Sequence, residues 1–162
     1  MKKMALSLIF VIAVVSCSDE QEVKNISVQE AQRLLENAST YLIDVRTIAE
    51  YVLVGHPEMA YNIPYSFWNE REQKFEQNEN FFHDIKAQFK LKDTLIFICR
   101  SGRRSLKAAK LAQKKRFENI FNLEHGFEGD KDIQGYRTLN GWKNSEIAYT
   151  YELDEKLTYK FR

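Results

Sequence analysis

One segment, "TLIFICRSGRRSLKAAKLAQKKRF", constrains the fold most, because its residue pattern changes from that of a strand to that of a helix. The run from Thr94 to Cys99 is uncharged and rich in β-branched and aromatic residues, which is typical of a buried central strand. Soon afterwards Ala108, Ala109 and Ala112 recur at helical spacing. A strand, a tight loop and a helix in this order predict an α/β fold with a mainly parallel sheet.

The rest of the chain from Ser27 onward alternates in the same way. Ser27 and Glu30 form a possible capping box at the start of one helix. We expect helices over 27–38, 47–55 and 81–89 and strands over 41–45, 61–65 and 119–123. The charged stretch 69–79 is predicted to be an exposed loop or a frayed helix. The region from Glu124 onward is predicted to be loops with a short helix near Trp142.

Cys99 is the last residue of the predicted central strand. Reactive groups in open α/β sheets lie at the carboxyl ends of strands, so this cysteine is the candidate nucleophile. The next six residues turn the chain into a helix, whose first backbone N–H groups have no intrahelical partner. These groups can converge on an anion, aided by the helix dipole. Gly102 gives the loop the backbone freedom that such a curve needs.

The side chains of the same loop are also suited to an anionic substrate. Ser101 and Ser105 add hydroxyl donors, and Arg100, Arg103 and Arg104 raise the local positive potential. This environment favours the thiolate, which is the nucleophilic form of cysteine. A plainer interpretation stays open, in which a buried thiol precedes a basic helix start and each arginine is only solvated surface.

The N-terminus has the pattern of a targeting signal. Lys2 and Lys3 precede a 12-residue uncharged, mostly apolar stretch, "MALSLIFVIAVV", which is too short to span a bilayer as a helix. The "VVSC" that ends it resembles the lipobox of bacterial lipoprotein signal peptides, which implies cleavage before Cys17 and a lipid on its sulfur. The alternative is an ordinary secretory signal with a chance cysteine.

These features divide the chain into four parts: a signal peptide at 1–16, a polar tether at 17–25, a catalytic domain at 26–147 and a C-terminal extension at 148–162. We therefore expect a lipid-anchored, extracytoplasmic protein of the bacterial cell envelope, facing the periplasm or on the outer membrane. A formal net charge of +1 gives no support for nucleic-acid binding.

Cysteine and histidine usage narrows the chemistry further. The chain has two cysteines, and lipidation of Cys17 would leave Cys99 without a disulfide partner. The three histidines, His56, His83 and His125, show no metal-ligand spacing with one another or with Cys99. We expect neither a metal nor a cofactor.

Three motifs in the right order resemble those of single-domain rhodaneses, the sulfurtransferase family. "YLIDVRTIAEYVLVGHPEMAYNIP" is similar to the family's first signature, "CRSGRRS" to its catalytic loop, and "NIFNLEHGFEGD" with "NGWK" to its last strand and terminal tryptophan. The similarity covers about residues 26–142. It implies a central, mainly parallel five-stranded sheet with helices on both faces.

The resemblance also implies a reaction. Cys99 would take a sulfane sulfur from a small anionic donor, thiosulfate or a persulfide, and pass it from a Cys99 persulfide to a thiol or to cyanide. The backbone amides from Arg100 to Ser105 would hold the persulfide.

Four residues match the first signature and are expected to be structural: Asp44, Arg46, Glu50 and His56. Because Arg46 and Glu50 are four residues apart, we predict an ion pair between them. The protein is expected to act as a monomer.

Loop length separates this chemistry from that of related thiol enzymes. Phosphatases and arsenate reductases of rhodanese-like fold resemble C-x5-R, with an arginine six positions after the cysteine. Here Ser105 occupies that position, and the last arginine of the loop, Arg104, comes five positions after Cys99. A further alternative is a non-catalytic rhodanese-like module with a binding or regulatory role. Such modules usually lack the cysteine, which this chain retains.

Overall fold

The computed structural model describes residues 22–160. The predicted signal peptide and the lipidation site Cys17 lie outside the described residues. The strands are β1 (Lys24–Ile26), β2 (Thr40–Asp44), β3 (Tyr61–Asn62), β4 (Ser66–Asn69), β5 (Lys74–Gln77), β6 (Thr94–Ile98), β7 (Asn119–Leu123), β8 (Asp130–Lys131) and β9 (Arg137–Leu139). The helices are α1 (Val28–Leu35), α2 (Ile48–Val54), α3 (Phe81–Gln88) and α4 (Arg103–Lys114).

A five-stranded parallel sheet forms the centre of the molecule, in the order β1-β7-β6-β2-β3. All five carboxyl ends therefore lie along one edge. The middle strand, β6, pairs with β7 on one side and β2 on the other, from Thr94 onward in both cases. The predicted parallel α/β sheet is confirmed, and the segment "TLIFI" is its central strand.

The sheet is covered on both faces, which explains the continuous apolar runs in its strands. Ile43, Leu95 and Phe97 pack into one core cluster, which also contains buried residues of α3 and α4. The alternate residues of the same strands, such as Ile96 and Ile98, pack into a second cluster with residues of α1 and α2. Cys99 continues the alternation on the α4 face.

Capping boxes define the starts of two helices. The predicted box at Ser27 and Glu30 is present at the start of α1. The sequence also encodes a second box, which we did not predict, in which Thr47 and Glu50 cap each other at the start of α2. This second box orients the Glu50 carboxylate, which forms an ion pair with Arg104 near Cys99.

The stretch 69–79 is neither a loop nor a frayed helix. It is exposed, as predicted, but it forms most of a β-hairpin in which β4 pairs antiparallel with β5. Charged residues in and around the turn hide the strand pattern in the sequence. The aromatic residues Phe67, Trp68 and Phe75 on the two strands are the residues that favour this structure.

The C-terminal region also differs from the prediction. Trp142 lies in a turn rather than a short helix, and its indole N–H donates to the carbonyl of Ala148. The small β8–β9 hairpin precedes it. From 148 onward the chain follows the domain surface, exchanging backbone hydrogen bonds between Thr150 and His56. Within residues 22–160, no helix is long and apolar enough to cross a membrane.

Candidate active site

Cys99 lies directly after β6, at the carboxyl edge of the sheet. Only 1% of the residue is exposed, and its carbonyl accepts a 2.7 Å hydrogen bond from the N–H of Phe127. The neighbouring Arg100 carbonyl accepts from the N–H of Glu128. The loop before α4 is thus fixed along its outer side by the segment that follows β7.

The chain reverses around Cys99 and enters α4 at Arg103. Gly102 precedes the helix with a left-handed φ of 83°, and no side chain caps the helix N-terminus. The Ser105 hydroxyl lies 3.3 Å from the Cys99 Sγ and 3.0 Å from the Gly102 carbonyl. First-turn N–H groups and a buried hydroxyl therefore lie next to the thiol, as an anion-binding loop requires.

Two glycines permit the close packing of this loop. A Cβ on Gly102 would overlap the carbonyl oxygen of Glu124, and a Cβ on Gly126 would overlap the carbonyl oxygen of Cys99. Both glycines also have positive φ, which other residues rarely adopt. The role of Gly126 was not assigned from the sequence, because it lies 27 positions after the cysteine it packs against.

Arg104 forms an internal ion pair instead of being free for substrate. Its guanidinium binds both oxygens of Glu50 at 2.5 and 2.8 Å. Burial alone would raise the pKa of Glu50, but hydrogen bonds to Arg104, the charge of Arg104 and the Thr47 cap outweigh it and lower the pKa to about 2. Burial opposes the charge on Arg104, but Glu50 and the Cys99 sulfur raise its pKa on balance.

The predicted ion pair between Arg46 and Glu50 is therefore wrong. Arg46 precedes Thr47, the N-cap of α2, so it is outside the helix in which i,i+4 spacing would apply. Its guanidinium instead binds the Asp44 carboxylate, with an Nη2–Oδ2 distance of 2.5 Å, and also donates to the Gly55 carbonyl. Both Asp44 and Arg46 are fully buried, and this pair joins the end of β2 to the end of α2.

His56 is buried away from the thiol, in the core of the opposite face. Its ring stacks on Tyr51 at 3.6 Å, and Nδ1 donates to the Pro57 carbonyl, because that carbonyl can only accept. Nε2 has no protein partner among residues 22–160. Burial lowers the pKa of His56 and favours the neutral ring. The structural interpretation of the first signature fits these positions of Asp44, Arg46 and His56.

Arg100 and Arg103 differ from Arg104 because they are exposed, and neither makes an ion pair within the part of the chain that the structure describes. Ser101 is half-buried. The free positive charge at the mouth of the loop therefore comes from two arginines. Residues 22–160 contain no group of three His, Cys, Asp or Glu side chains placed to hold a metal ion.

The β4–β5 hairpin carries aromatic residues and lies beside the Cys99 loop. The sequence did not reveal this proximity. The Arg104 guanidinium is 5.3 Å from the centre of the Phe75 ring in β5. Phe75 is 24 positions before Cys99, in a stretch dominated by charged residues, so no local pattern links it to the loop. The structure alone shows that the two are neighbours.

Comparisons with a family model and with related proteins identify the same family. The model of the rhodanese-like domain matches residues 27–132. Rhodanese-like domain-containing protein 17 of Arabidopsis thaliana is 37% identical over 110 residues, which are 67% of this chain and 68% of that protein. Thiosulfate sulfurtransferase 16 of the same plant, a chloroplastic protein, is 36% identical over 68% of this chain and 81% of its own length.

A solved structure extends the similarity to most of the chain. The crystal structure of Rv0390 from M. tuberculosis superposes with a TM-score of 0.69 and 27% identity, covering 82% of this chain and all of that one. The similarity of fold therefore extends over most of the chain.

Proposed function

The chain belongs to the rhodanese-like domain family, and from that premise we propose that it is a sulfurtransferase that carries sulfur as a persulfide on Cys99. The observation that carries the proposal is the loop itself. Cys99 lies directly after the central strand, and Arg100, Ser101 and Gly102 turn the chain into the uncapped N-terminus of α4, with the Ser105 hydroxyl 3.3 Å from the sulfur. Curated relatives named as thiosulfate sulfurtransferases support it at the family level.

The reaction follows from the chemistry of a thiolate in such a loop. The Cys99 thiolate attacks the outer sulfur of thiosulfate or of a persulfide, the donor's S–S bond breaks, and sulfite or a thiolate leaves. An acceptor such as cyanide or a thiol then attacks the outer sulfur of the Cys99 persulfide, which releases the Cys99 thiolate. Once the Cys99 thiolate has formed, neither of these two steps needs a general base.

The charged groups have distinct tasks in this proposal. Arg100 and Arg103 attract the anionic donor, because they are exposed and unpaired within the described residues. Arg104 stays bound to Glu50, and this ion pair holds the first turn of α4 in place rather than attracting the donor. The first-turn amides and Ser105 stabilise the negative charge on the persulfide.

A mass measurement tests the proposal. We expect the purified protein, incubated with thiosulfate, to gain the mass of one sulfur atom on Cys99 and to lose it on addition of cyanide. The Cys99→Ser protein should show no gain. Absence of an adduct with thiosulfate and with persulfide donors would contradict sulfur transfer and favour a binding module, while turnover of a phosphoester would favour phosphatase chemistry.

We also propose that the protein is anchored in the bacterial cell envelope by a lipid on Cys17. The support is the sequence pattern of Lys2, Lys3, a short apolar stretch and "VVSC". The predicted tether 17–25 is shorter in the structure, because β1 begins at Lys24. The polar residues between Cys17 and β1 would then act as the tether to the domain. The wild-type protein should partition into detergent, and Cys17→Ala should remain in the aqueous phase. Recovery of unlipidated mature wild-type protein from its host cells would contradict the anchor.

A further inference from the structure

The hairpin formed by β4 and β5 presents two aromatic rings to solvent. Trp68 and Phe75 face each other across the strands, with ring centres 5.1 Å apart at an angle of 70°. They are 46% and 51% exposed, although both are large apolar side chains. Neither strand pairs with the central sheet, so the hairpin forms a separate two-stranded sheet. Exposed aromatic pairs of this kind are typical of interaction surfaces.

The opposite face of the hairpin supports the fold. Phe67 points away from Trp68 and its ring lies 5.9 Å from that of Tyr159 in the C-terminal region. Packing of the hairpin onto the domain therefore uses Phe67. It leaves much of the Trp68 and Phe75 surface without an intramolecular role.

The exposed pair lies at the rim of the Cys99 loop. Phe75 contacts the guanidinium of Arg104, and the next residue, Ser105, places its hydroxyl 3.3 Å from the thiol sulfur. A molecule resting on Trp68 and Phe75 would thus be next to the N-terminus of α4. The N-terminus of α4 is the helix end that the proposed function assigns to the persulfide.

The cations without an ion-pair partner beside this rim are Arg100 and Arg103. Glu50 pairs with Arg104, and Glu72 and Glu76 of the hairpin pair with Lys74, whereas Arg100 and Arg103 are exposed and form no ion pair with any residue in 22–160. Two rings and two cations together cover an area larger than a small acceptor such as cyanide could contact. Aromatic residues and arginine are also the residues enriched in protein–protein contacts.

We propose that Trp68, Phe75, Arg100 and Arg103 form the docking face for a partner protein whose acceptor thiol lies between an apolar side chain and acidic residues. The inference rests on the proposed sulfur transfer. The partner's thiol loses its proton to water, its thiolate attacks the outer sulfur of the Cys99 persulfide, and the bond from that sulfur to Cys99 Sγ breaks. The partner leaves as a persulfide and Cys99 as a thiolate, with no net oxidation.

Two synthetic peptides and cyanide serve as acceptors for the test. One peptide carries a cysteine flanked by leucine and glutamates, and the other carries the same cysteine flanked by glycines. With the full chain loaded from thiosulfate, the ratio of acidic-apolar peptide discharge to cyanide discharge should fall about tenfold in Trp68→Thr and in Phe75→Thr. The glycine peptide should show no such fall.

Matched variants separate docking from damage to the hairpin. Leu91 is also an exposed apolar residue, but it precedes β6 and lies at the opposite edge of the sheet, so Leu91→Thr should keep the wild-type ratio. Arg103→Gln tests the same face without altering the hairpin. It should lower the ratio for the acidic-apolar peptide and weaken the dependence of discharge on salt. An unchanged ratio in the Trp68, Phe75 and Arg103 variants would overturn the docking face.

A binding measurement with a peptide that cannot accept sulfur distinguishes failure of docking from failure of sulfur transfer. A peptide with serine in place of cysteine should bind the wild-type chain and perturb the fluorescence of Trp68, since Trp142 is buried. Calorimetry should show weaker binding to Phe75→Thr. If the chain binds this peptide through Phe75 but never accepts sulfur, the docking face stands and the proposed function falls. If the peptide does not bind, the docking face is wrong.

Discussion

Gly102 is the residue on which the shape of the Cys99 loop depends most. Its left-handed φ turns the chain from β6 into α4, and the absence of a side chain allows the loop to approach the carbonyl of Glu124. Ser105, three positions later, then lies against the sulfur. The proposed persulfide would therefore be held by the backbone of the loop more than by its arginines.

Substitution of Gly102 tests this dependence. Gly102→Ala should abolish most persulfide formation and lower the free energy of unfolding by about 3 kcal/mol, because the added Cβ displaces backbone as well as adopting an unfavourable φ. Gly135 is the matched control, since its φ is 90° but a Cβ there would meet nothing within 4 Å. Gly135→Ala should cost about 1 kcal/mol and leave sulfur uptake intact. Equal sulfur uptake in both variants would refute the role of Gly102.

The ion pair between Glu50 and Arg104 connects two elements across the carboxyl edge of the sheet. Glu50 belongs to the first turn of α2, where the Thr47 cap orients it, and Arg104 belongs to the first turn of α4. The pair therefore links the start of α2 to the loop that carries Cys99. Because Glu50 binds Arg104, the accessible arginines of the loop are Arg100 and Arg103.

This link predicts a dependence of stability on acid. The pKa of Glu50 is lowered to about 2 in the folded protein, so its stabilisation is complete above its ordinary value of 4.5 and is lost as the pH falls toward 2. Glu50→Gln should reduce the free energy of unfolding at pH 7 by roughly 2 to 3 kcal/mol, and the difference from wild type should shrink between pH 4.5 and 2. Urea unfolding across that range measures both effects.

Glu118→Gln is the control for this measurement. Glu118 is exposed and makes no ion pair with the residues described, so its removal should leave the acid dependence unchanged. A difference between wild type and Glu50→Gln that stayed constant from pH 7 to 2 would show that the ion pair does not couple the two helices.

At the scale of the whole molecule, the C-terminal region covers one side of the domain. Tyr149 packs edge-on against Phe127, whose N–H binds the Cys99 carbonyl. Thr150 pairs with His56, and the Leu157 carbonyl accepts from the N–H of Asn62 at the end of β3. Contacts made far from the loop therefore support the segment that fixes it.

Truncation of the C-terminal region measures how much these contacts contribute to the free energy of unfolding. A chain ending at Ile147 should lose about 2 to 4 kcal/mol of unfolding free energy, because Phe127 and His56 become exposed and several hydrogen bonds are lost. A chain ending at Glu152 keeps Tyr149 and Thr150 and should retain more than half of this contribution. Identical urea midpoints for the full chain and the chain ending at Ile147 would contradict this account.

The sequence predicted those features in which neighbouring residues carry the information. The run "TLIFIC", the glycine after it and the helical alanines lie within twenty residues, so the strand, loop and helix could be read directly. Arg104 and Glu50 are 54 positions apart, and only the parallel order of β2 and β6 brings their elements together. The hairpin was missed because the charged turn between Trp68 and Phe75 masks two short strands.

The central claim is that Cys99 transfers sulfur from a donor to an acceptor within this loop. Steady-state formation of thiocyanate from thiosulfate and cyanide measures it most directly, with wild type, Cys99→Ser and Gly135→Ala compared under the same conditions. We predict turnover in wild type and Gly135→Ala and only background in Cys99→Ser. Background rates in wild type, or equal rates in wild type and Cys99→Ser, would contradict it.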